Sequence, residues 1–309
     1  MAYGQEVIGQ MEVHSPSRKP MRVTKGWCNV GIKGDSFEVL FSGIHGGLVS
    51  YKYAGVELFK SIPKPNFWRP MTDNDVANLL PFRSGQWKLA SMYNSYKYEN
   101  GRKTTFYDVE ETDDTVIVRY TYHLPTKPAM DCQVAYRVFG DGEIKVTMTM
   151  DASEKVGELP EYSMLFTMDA DYENLTWYGK GPEETYLDKD HAKVGLFQNK
   201  VAENMAKYLV PQECGNKVDV RYAKITDERG RGICLMGDKL GLSVLPYSPH
   251  EIENALHPTE LPPIHYTFIR VGLAQMGIAG DDTWGAQTHP EYRIDNSKKL
   301  TLTFSFRGI

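Results

Sequence analysis

Apolar and polar positions alternate with a period of two along much of the chain, the spacing that turns one face of an extended strand to a core and the other to water. Residues 36–42 read SFEVLFS, with Phe37, Val39 and Phe41 on one face. Residues 115–122 (TVIVRYTY) repeat the pattern with β-branched and aromatic side chains, which favour pleated backbone. The segment 134–150, VAYRVFGDGEIKVTMTM, predicts a hairpin: two alternating runs flank Asp141-Gly142, a pair suited to the positive-φ positions of a tight turn. Further strands are expected at 162–168, 218–226, 232–236, 242–247 and 300–306, and the charges of the intervening DERGRG (227–232) read as solvated turn. The one clear helix signal is Ser248-Pro249-His250-Glu251, where Ser248 caps, Pro249 opens the first turn and Glu251 closes a Ser-x-x-Glu capping box. Pro258, Pro262 and Pro263 keep that helix short.

Many strands without intervening helices make antiparallel sheets, and a sheet needs a second layer to bury its face. The expected fold class is therefore all-β, with residues 22–309 forming a single large sandwich. Residues 1–21, weakly patterned and carrying Pro16 and Pro20, read as a connector from an upstream domain. Composition agrees: 19 Tyr, 12 Phe and 5 Trp supply an aromatic interior, and 27 Gly and 17 Pro supply turns. Trp27, Trp68, Trp87 and Trp177 read as core.

Charge narrows the function classes. With 35 Lys+Arg against 40 Asp+Glu the net charge is −5, without the basic stripe of a nucleic-acid binder. No apolar run approaches the ~20 residues of a membrane-spanning helix, and the N-terminus lacks the apolar core of a secretory signal, so a membrane or secreted protein is not expected. Cys28, Cys132, Cys214 and Cys234 are widely spaced and read as small buried hydrophobes in a reducing, cytoplasmic compartment. The eight histidines form no H-x-x-x-H pair, and no metal site is expected. His250 and His257 share a face only if the capped helix persists between them. No nucleophile elbow, Walker loop or dinucleotide fingerprint is present.

Three carboxylate clusters stand out: Asp73-Asn74-Asp75, Glu183-Glu184 with Asp188, and Asp281-Asp282. A glycosidase pair must straddle a sugar from two directions, ~5–10 Å apart, which neighbours on one loop do not do; such acids usually serve turns. The segment Gly277-Ile-Ala-Gly-Asp-Asp-Thr-Trp-Gly285 is more pointed. A Trp behind a Gly-rich, acidic loop either presents its indole face to the C–H patch of a sugar or covers the end of the sandwich as core.

These residues resemble a known family. Asn66-Phe-Trp-Arg-Pro-Met-Thr-Asp-Asn-Asp75 is similar to the signature opening the C-terminal domain of family 2 β-galactosidases. Tyr178-Gly-Lys-Gly-Pro-Glu-Glu-Thr-Tyr-Leu-Asp188, Pro211-Gln-Glu-Cys-Gly-Asn216 and Gly280-Asp-Asp-Thr-Trp284 resemble three later stretches of that domain, in the same order. The resemblance implies a β-supersandwich of the galactose mutarotase-like kind, carried either as a separate small subunit or at the end of a much longer chain. It implies a β-galactoside as substrate, and a TIM-barrel catalytic domain or large subunit as partner. The catalytic glutamates and the Mg²⁺ and Na⁺ ligands would lie in that partner, so this chain has no catalytic residue of its own. Trp284 is then the substrate-binding contribution, reaching the barrel mouth to stack on the sugar or its aglycone. Asp281 and Asp282 are expected to hold its loop through backbone hydrogen bonds, and Asp73, Asp75, Glu183 and Glu184 read as structural.

Two other readings stand beside this one. An aldose 1-epimerase would need an acid and a base facing a cleft, drawn from His191, His250 or His265 with Glu183 or Glu251. A stand-alone carbohydrate-binding module would bind galactose without a partner.

Overall fold

The computed structural model describes residues 20–96, 98–99, 102–103 and 108–309, so the expected connector lies almost wholly outside the described residues. Strands Arg22–Lys25, Asn29–Lys33, Phe37–Ser42, Gly47–Tyr53 and Val56–Glu57 form a five-stranded antiparallel meander. A second sheet holds thirteen strands among the described residues. Its main path runs Asp108–Glu111, Thr115–Leu124, Met130–Phe139, Ile144–Asp151, Lys299–Gly308, Gly232–Leu245, Lys217–Thr226, Asn174–Gly181 and Lys193–Lys200. Every pairing is antiparallel.

The long strand Gly232–Leu245 is where the large sheet forks. Its first half pairs with Lys299–Gly308, and its second half pairs with Tyr266–Gln275, which leads on to Glu161–Asp169 and Lys64–Asn66. Two separate strands, 232–236 and 242–247, were expected here. The chain instead passes through with Lys239 at φ 52° and a shifted register against its neighbour, a bulge that re-aims one continuous strand.

The two sheets share a core. The apolar face of residues 36–42 lies inward as its alternation requires, with Phe37, Val39 and Phe41 buried. Phe41 meets Tyr136 of the large sheet with centroids 5.4 Å apart, and Tyr51 meets Phe306 edge-on at 5.4 Å. Tyr51 also ties the layers by hydrogen bonds: its hydroxyl donates to the carbonyl of Gly142 at 2.7 Å and accepts from the Gly308 amide at 2.8 Å. Phe59, Phe166, Phe304 and Phe306 complete the aromatic centre. The hairpin turn is as expected, with Gly142 at φ 90°.

Helices depart further from expectation. Pro249–Asn254 forms, with both hydrogen bonds of the Ser248/Glu251 capping box, and its end at Asn254 leaves His257 outside it. Two helices were not anticipated. Asp73–Ala77, which we call α1, turns the first acidic cluster into a first helical turn capped by Thr72. Leu80–Tyr93, α2, buries Leu80, Ser84, Trp87 and Ala90 at helical spacing, but its exposed Phe82, Leu89, Met92 and Tyr93 blur the period. Among the described residues no helix is long and apolar enough to cross a membrane.

Trp68, Trp87 and Trp177 are core residues, as are Cys132, Cys214 and Cys234, while Cys28 is half-buried. Trp27 is not core: it is 87% exposed, at the turn between the first two strands, where Gly26 donates to the Asn29 carbonyl and the indole falls outside the sandwich.

Replacing Phe166 by Ala should remove a ring that contacts Phe59, Phe304 and Phe306 in a core with no room to collapse. The expected loss is about 3–5 kcal/mol, read as a lower urea midpoint with unchanged slope. A loss below about 1 kcal/mol would show that the sheets do not share one rigid interior.

Candidate functional site

The four motifs meet at one end of the molecule around buried charge. Arg69 is fully buried and donates from Nη1 to Asp75 Oδ2 at 2.5 Å and to the carbonyl of Pro70 at 3.1 Å. Its Nη2 reaches the Gly277 carbonyl at 3.2 Å, at the root of the Trp284 loop. Arg270, buried in strand Tyr266–Gln275, donates from Nη1 to Glu161 Oε2 at 2.6 Å. Its Nη2 reaches both oxygens of Glu213 at 2.9 and 2.8 Å and Ser243 Oγ at 2.9 Å. The Tyr186 hydroxyl donates to Glu213 Oε1 at 3.4 Å.

Side-chain-to-backbone bonds complete the junction. Glu184 accepts from the Gly215 amide at 2.8 Å, and Asn216 Nδ2 donates to the Thr185 carbonyl at 2.9 Å. Gln212 and Asp73 exchange two bonds: the Asp73 amide donates to Oε1 at 3.1 Å, and Nε2 donates to Oδ2 at 3.0 Å. Asp188 Oδ2 accepts from the Ala279 amide at 2.8 Å. The acids of the first two clusters, apart from the exposed Glu183, thus bond loop backbone and neighbouring side chains. Glu213, Glu161, Arg69 and Arg270 were not singled out individually from sequence: Arg270 meets its glutamates across 57 and 109 positions, while Arg69 pairs with Asp75 inside one motif.

The Trp284 loop rises from this base. Asp282 Oδ1 accepts from the amides of Trp284 at 2.8 Å and Ala286 at 3.2 Å, and these bonds hold its carboxyl below the usual range. Asp281 makes a different contact: its Oδ1 lies 2.8 Å from His289 Nε2, which raises the imidazole's affinity for a proton. Asn78, at the end of α1, donates to the Ala286 carbonyl at 3.5 Å. Trp284 itself is 88% exposed. Near the loop's supports lie further exposed apolar side chains: Val76, Leu79 and Phe82 of the α1–α2 region, and Leu209 and Val210 beside Gln212.

The histidines considered for an epimerase are not gathered. His191, His250 and His265 are exposed on three different segments, and none shares a hydrogen bond or ion pair with Glu183 or Glu251 among the described residues. Glu251 serves the capping box. No group of three His, Cys, Asp or Glu side chains among the described residues could hold a metal ion.

Two guanidinium groups face three carboxylates in the buried network, which leaves one negative charge uncompensated if all are ionised. Desolvation, with repulsion from Glu161, outweighs Arg270 and Arg69 and pushes the Glu213 carboxyl up to about 7. The folded state therefore holds a proton that the unfolded chain releases nearer 4.5, its ordinary value. Stability contributed this way is complete below about 4.5 and is lost as pH rises through about 7. Urea midpoints measured from pH 5 to pH 8 should fall, and Glu213→Gln should flatten that slope; equal slopes in both proteins would refute the assignment.

A family model described as beta galactosidase small chain matches residues 33–307. The beta-galactosidase of Halalkalibacterium halodurans is 39% identical over 317 residues, covering 100% of this chain and 30% of that protein. The beta-galactosidase small subunit of Latilactobacillus sakei is 30% identical, covering 93% of this chain and 98% of that subunit. A galactose 1-epimerase structure from Lactobacillus acidophilus overlies 96% of this chain and 99% of its own at a TM-score of 0.45 and 10% identity. The chain spans 22–30% of the length of the long curated relatives it matches. The matched span contains all four motifs and the ion network that joins them, and the chain belongs to the β-galactosidase small-chain family.

Proposed function

We propose that this chain is the C-terminal domain or small subunit of a β-galactosidase, non-catalytic alone, and that it completes the substrate site of a larger catalytic partner. The observation that carries the reading is Trp284, an indole 88% exposed at the tip of a loop whose base is fixed by hydrogen bonds. A large aromatic left in water by a well-anchored loop is placed to be covered by something else. A galactoside or its aglycone offers an apolar patch of C–H bonds that stacks on such a face, while its hydroxyls turn to polar groups on the other wall. Val76, Leu79, Phe82, Leu209 and Val210 form the apolar ground on which a partner carrying that other wall would dock.

In this reading the acid/base and nucleophilic glutamates belong to a TIM-barrel partner, and the chain's own carboxylates hold loops. The Mg²⁺ and Na⁺ implied by the resemblance are assigned in this reading to that partner. Those ions belong to the complete enzyme. The four free cysteines suit the reducing cytoplasm.

The test is hydrolysis of lactose and nitrophenyl galactoside by the complete enzyme. The chain alone should show no turnover. Trp284→Ala in the assembled enzyme should cost about 0.5–1.5 kcal/mol of binding, roughly a two- to tenfold rise in KM, with Trp284→Phe recovering part of it. Unchanged KM and kcat in Trp284→Ala would end the platform role, and anomer interconversion or galactose binding by the chain alone would favour the epimerase or binding-module reading.

A further inference from the structure

We propose that Asp188 is the positioning residue that sets where Trp284 stands, by pinning the rising limb of its loop to the buried charge network. This rests on the platform reading of Trp284 for its functional consequence, but not for its structural one.

The geometry supplies a continuous path. Tyr186 is fully buried, and its hydroxyl donates to Glu213 Oε1 at 3.4 Å, so its position follows that of the Arg270 cluster. From there the chain makes a closed turn: the Tyr186 amide donates to the Lys189 carbonyl at 3.0 Å, and the Lys189 amide returns to the Tyr186 carbonyl at 3.1 Å. Lys189 Nζ adds a bond to Glu184 Oε1 at 2.8 Å, and Glu184 itself holds the Gly215 amide. Asp188 is carried on this turn, between the bonded Tyr186 and Lys189. Its Oδ2 accepts from the Ala279 amide at 2.8 Å across 91 positions of sequence.

The fit beneath the loop is close. A Cβ at Gly277 would lie 2.6 Å from Asp188 Oδ2 and 2.7 Å from its Cγ, a separation real side chains do not tolerate. Glycine at 277 is therefore what lets the carboxylate come near enough to reach Ala279. Gly277 is held from the other side as well, by Thr288 Oγ1 donating to its carbonyl at 3.1 Å and Arg69 Nη2 to the same oxygen at 3.2 Å. Beyond Ala279, Asp281 meets His289 only side chain to side chain, at 2.8 Å, and Asp282 bonds amides of the loop itself. Among the described residues Asp188 is thus the last group from outside the loop to bond the main chain of its rising limb. A charge-assisted bond to a backbone amide is stronger and more directional than a neutral one, which suits a pin.

Arg69 also touches the loop root, but its removal would leave Asp75 as an unpaired buried charge and threaten the fold. Asp188 is the informative position. Amide exchange of the segment 277–286 should be measured in the full chain for Asp188→Ala and Asp188→Asn. Exchange should rise on the order of tenfold in Asp188→Ala, since one charge-assisted bond is lost, with the urea midpoint little changed. Asp188→Asn keeps an acceptor oxygen and should restore most of the protection. Gly277→Ala, which pushes the carboxylate away without removing it, should reproduce the effect and serves if Asp188→Ala does not fold. In the assembled enzyme, Asp188→Ala should raise KM for an aryl galactoside several-fold with kcat within about twofold. Wild-type protection of 277–286 in Asp188→Ala and Gly277→Ala would overturn the proposal. So would an unchanged KM in Asp188→Ala where Trp284→Ala raises it. If exchange responds but Trp284→Ala leaves KM unmoved, the pin stands and the platform reading falls.

Discussion

Burial of charge governs this molecule's functional end. Arg69 and Arg270 lie where water cannot reach, and each would be ruinous to the fold without its carboxylate. The gain from pairing two buried ions roughly offsets their desolvation, so the network adds little net stability over an apolar filling. What it adds is exclusivity. Strand Tyr266–Gln275 supplies one arginine, strand Glu161–Asp169 one glutamate, and the loop 211–216 the other. A shift of any of these by a fraction of a bond length leaves a desolvated charge unmet. The two-layer aromatic core fixes the sheets, whereas the charges fix the loops that the sheets would otherwise leave loose.

From that constraint follows an asymmetry between the base of the Trp284 loop and its tip. At the base, Gly277 is held from both sides and Ala279 is met by a carboxylate. At the tip, Asp282 folds the backbone on itself, and from outside the loop only the flanking Asp281 and Ala286 are met, by His289 and Asn78 among the described residues. A loop built this way keeps its direction while leaving its aromatic group uncovered. The neighbouring exposed apolar residues of α1 and α2 extend the same uncovered ground, and Phe82 is 86% exposed. In a monomer meant to stay alone such a patch is an aggregation liability. In one part of a larger enzyme it is a docking surface.

Much of the fold was legible because strands advertise themselves two residues at a time. Phe37, Val39 and Phe41 need only each other to announce a buried face, and Asp141-Gly142 announces its turn without any distant partner. Helix α2 failed the same test: four of its large apolar side chains face solvent, so the true stripe of Leu80, Ser84, Trp87 and Ala90 is hidden among them. The site was legible only in part. Motif order brought Trp284 into view, but Arg270 meets Glu161 across 109 positions and no local pattern encodes that meeting. Trp27 shows the complementary difficulty. It and Trp284 are both exposed near glycines, yet sequence placed one in the core and the other at a site. What separates them is the scaffold beneath, and that is a tertiary property.

The density of acids in the four motifs invites a catalytic interpretation, and their hydrogen bonds argue against it. Asp75 is taken by Arg69, Glu161 and Glu213 by Arg270, Glu184 by the Gly215 amide and Lys189, Asp188 by the Ala279 amide, and Asp282 by Trp284 and Ala286. A general acid or nucleophile must meet a substrate atom with a lone pair or proton to spare, at a separation set by the sugar between the pair. Each of these carboxylates already accepts from a backbone amide, a guanidinium group or Lys189, and none is paired with a second acid across a gap the width of a sugar among the described residues. Their chemistry is that of the capped turn, repeated until four segments from distant parts of the chain are locked together. The acids tie the base of the Trp284 loop firmly enough to the sandwich to hold an indole out into water.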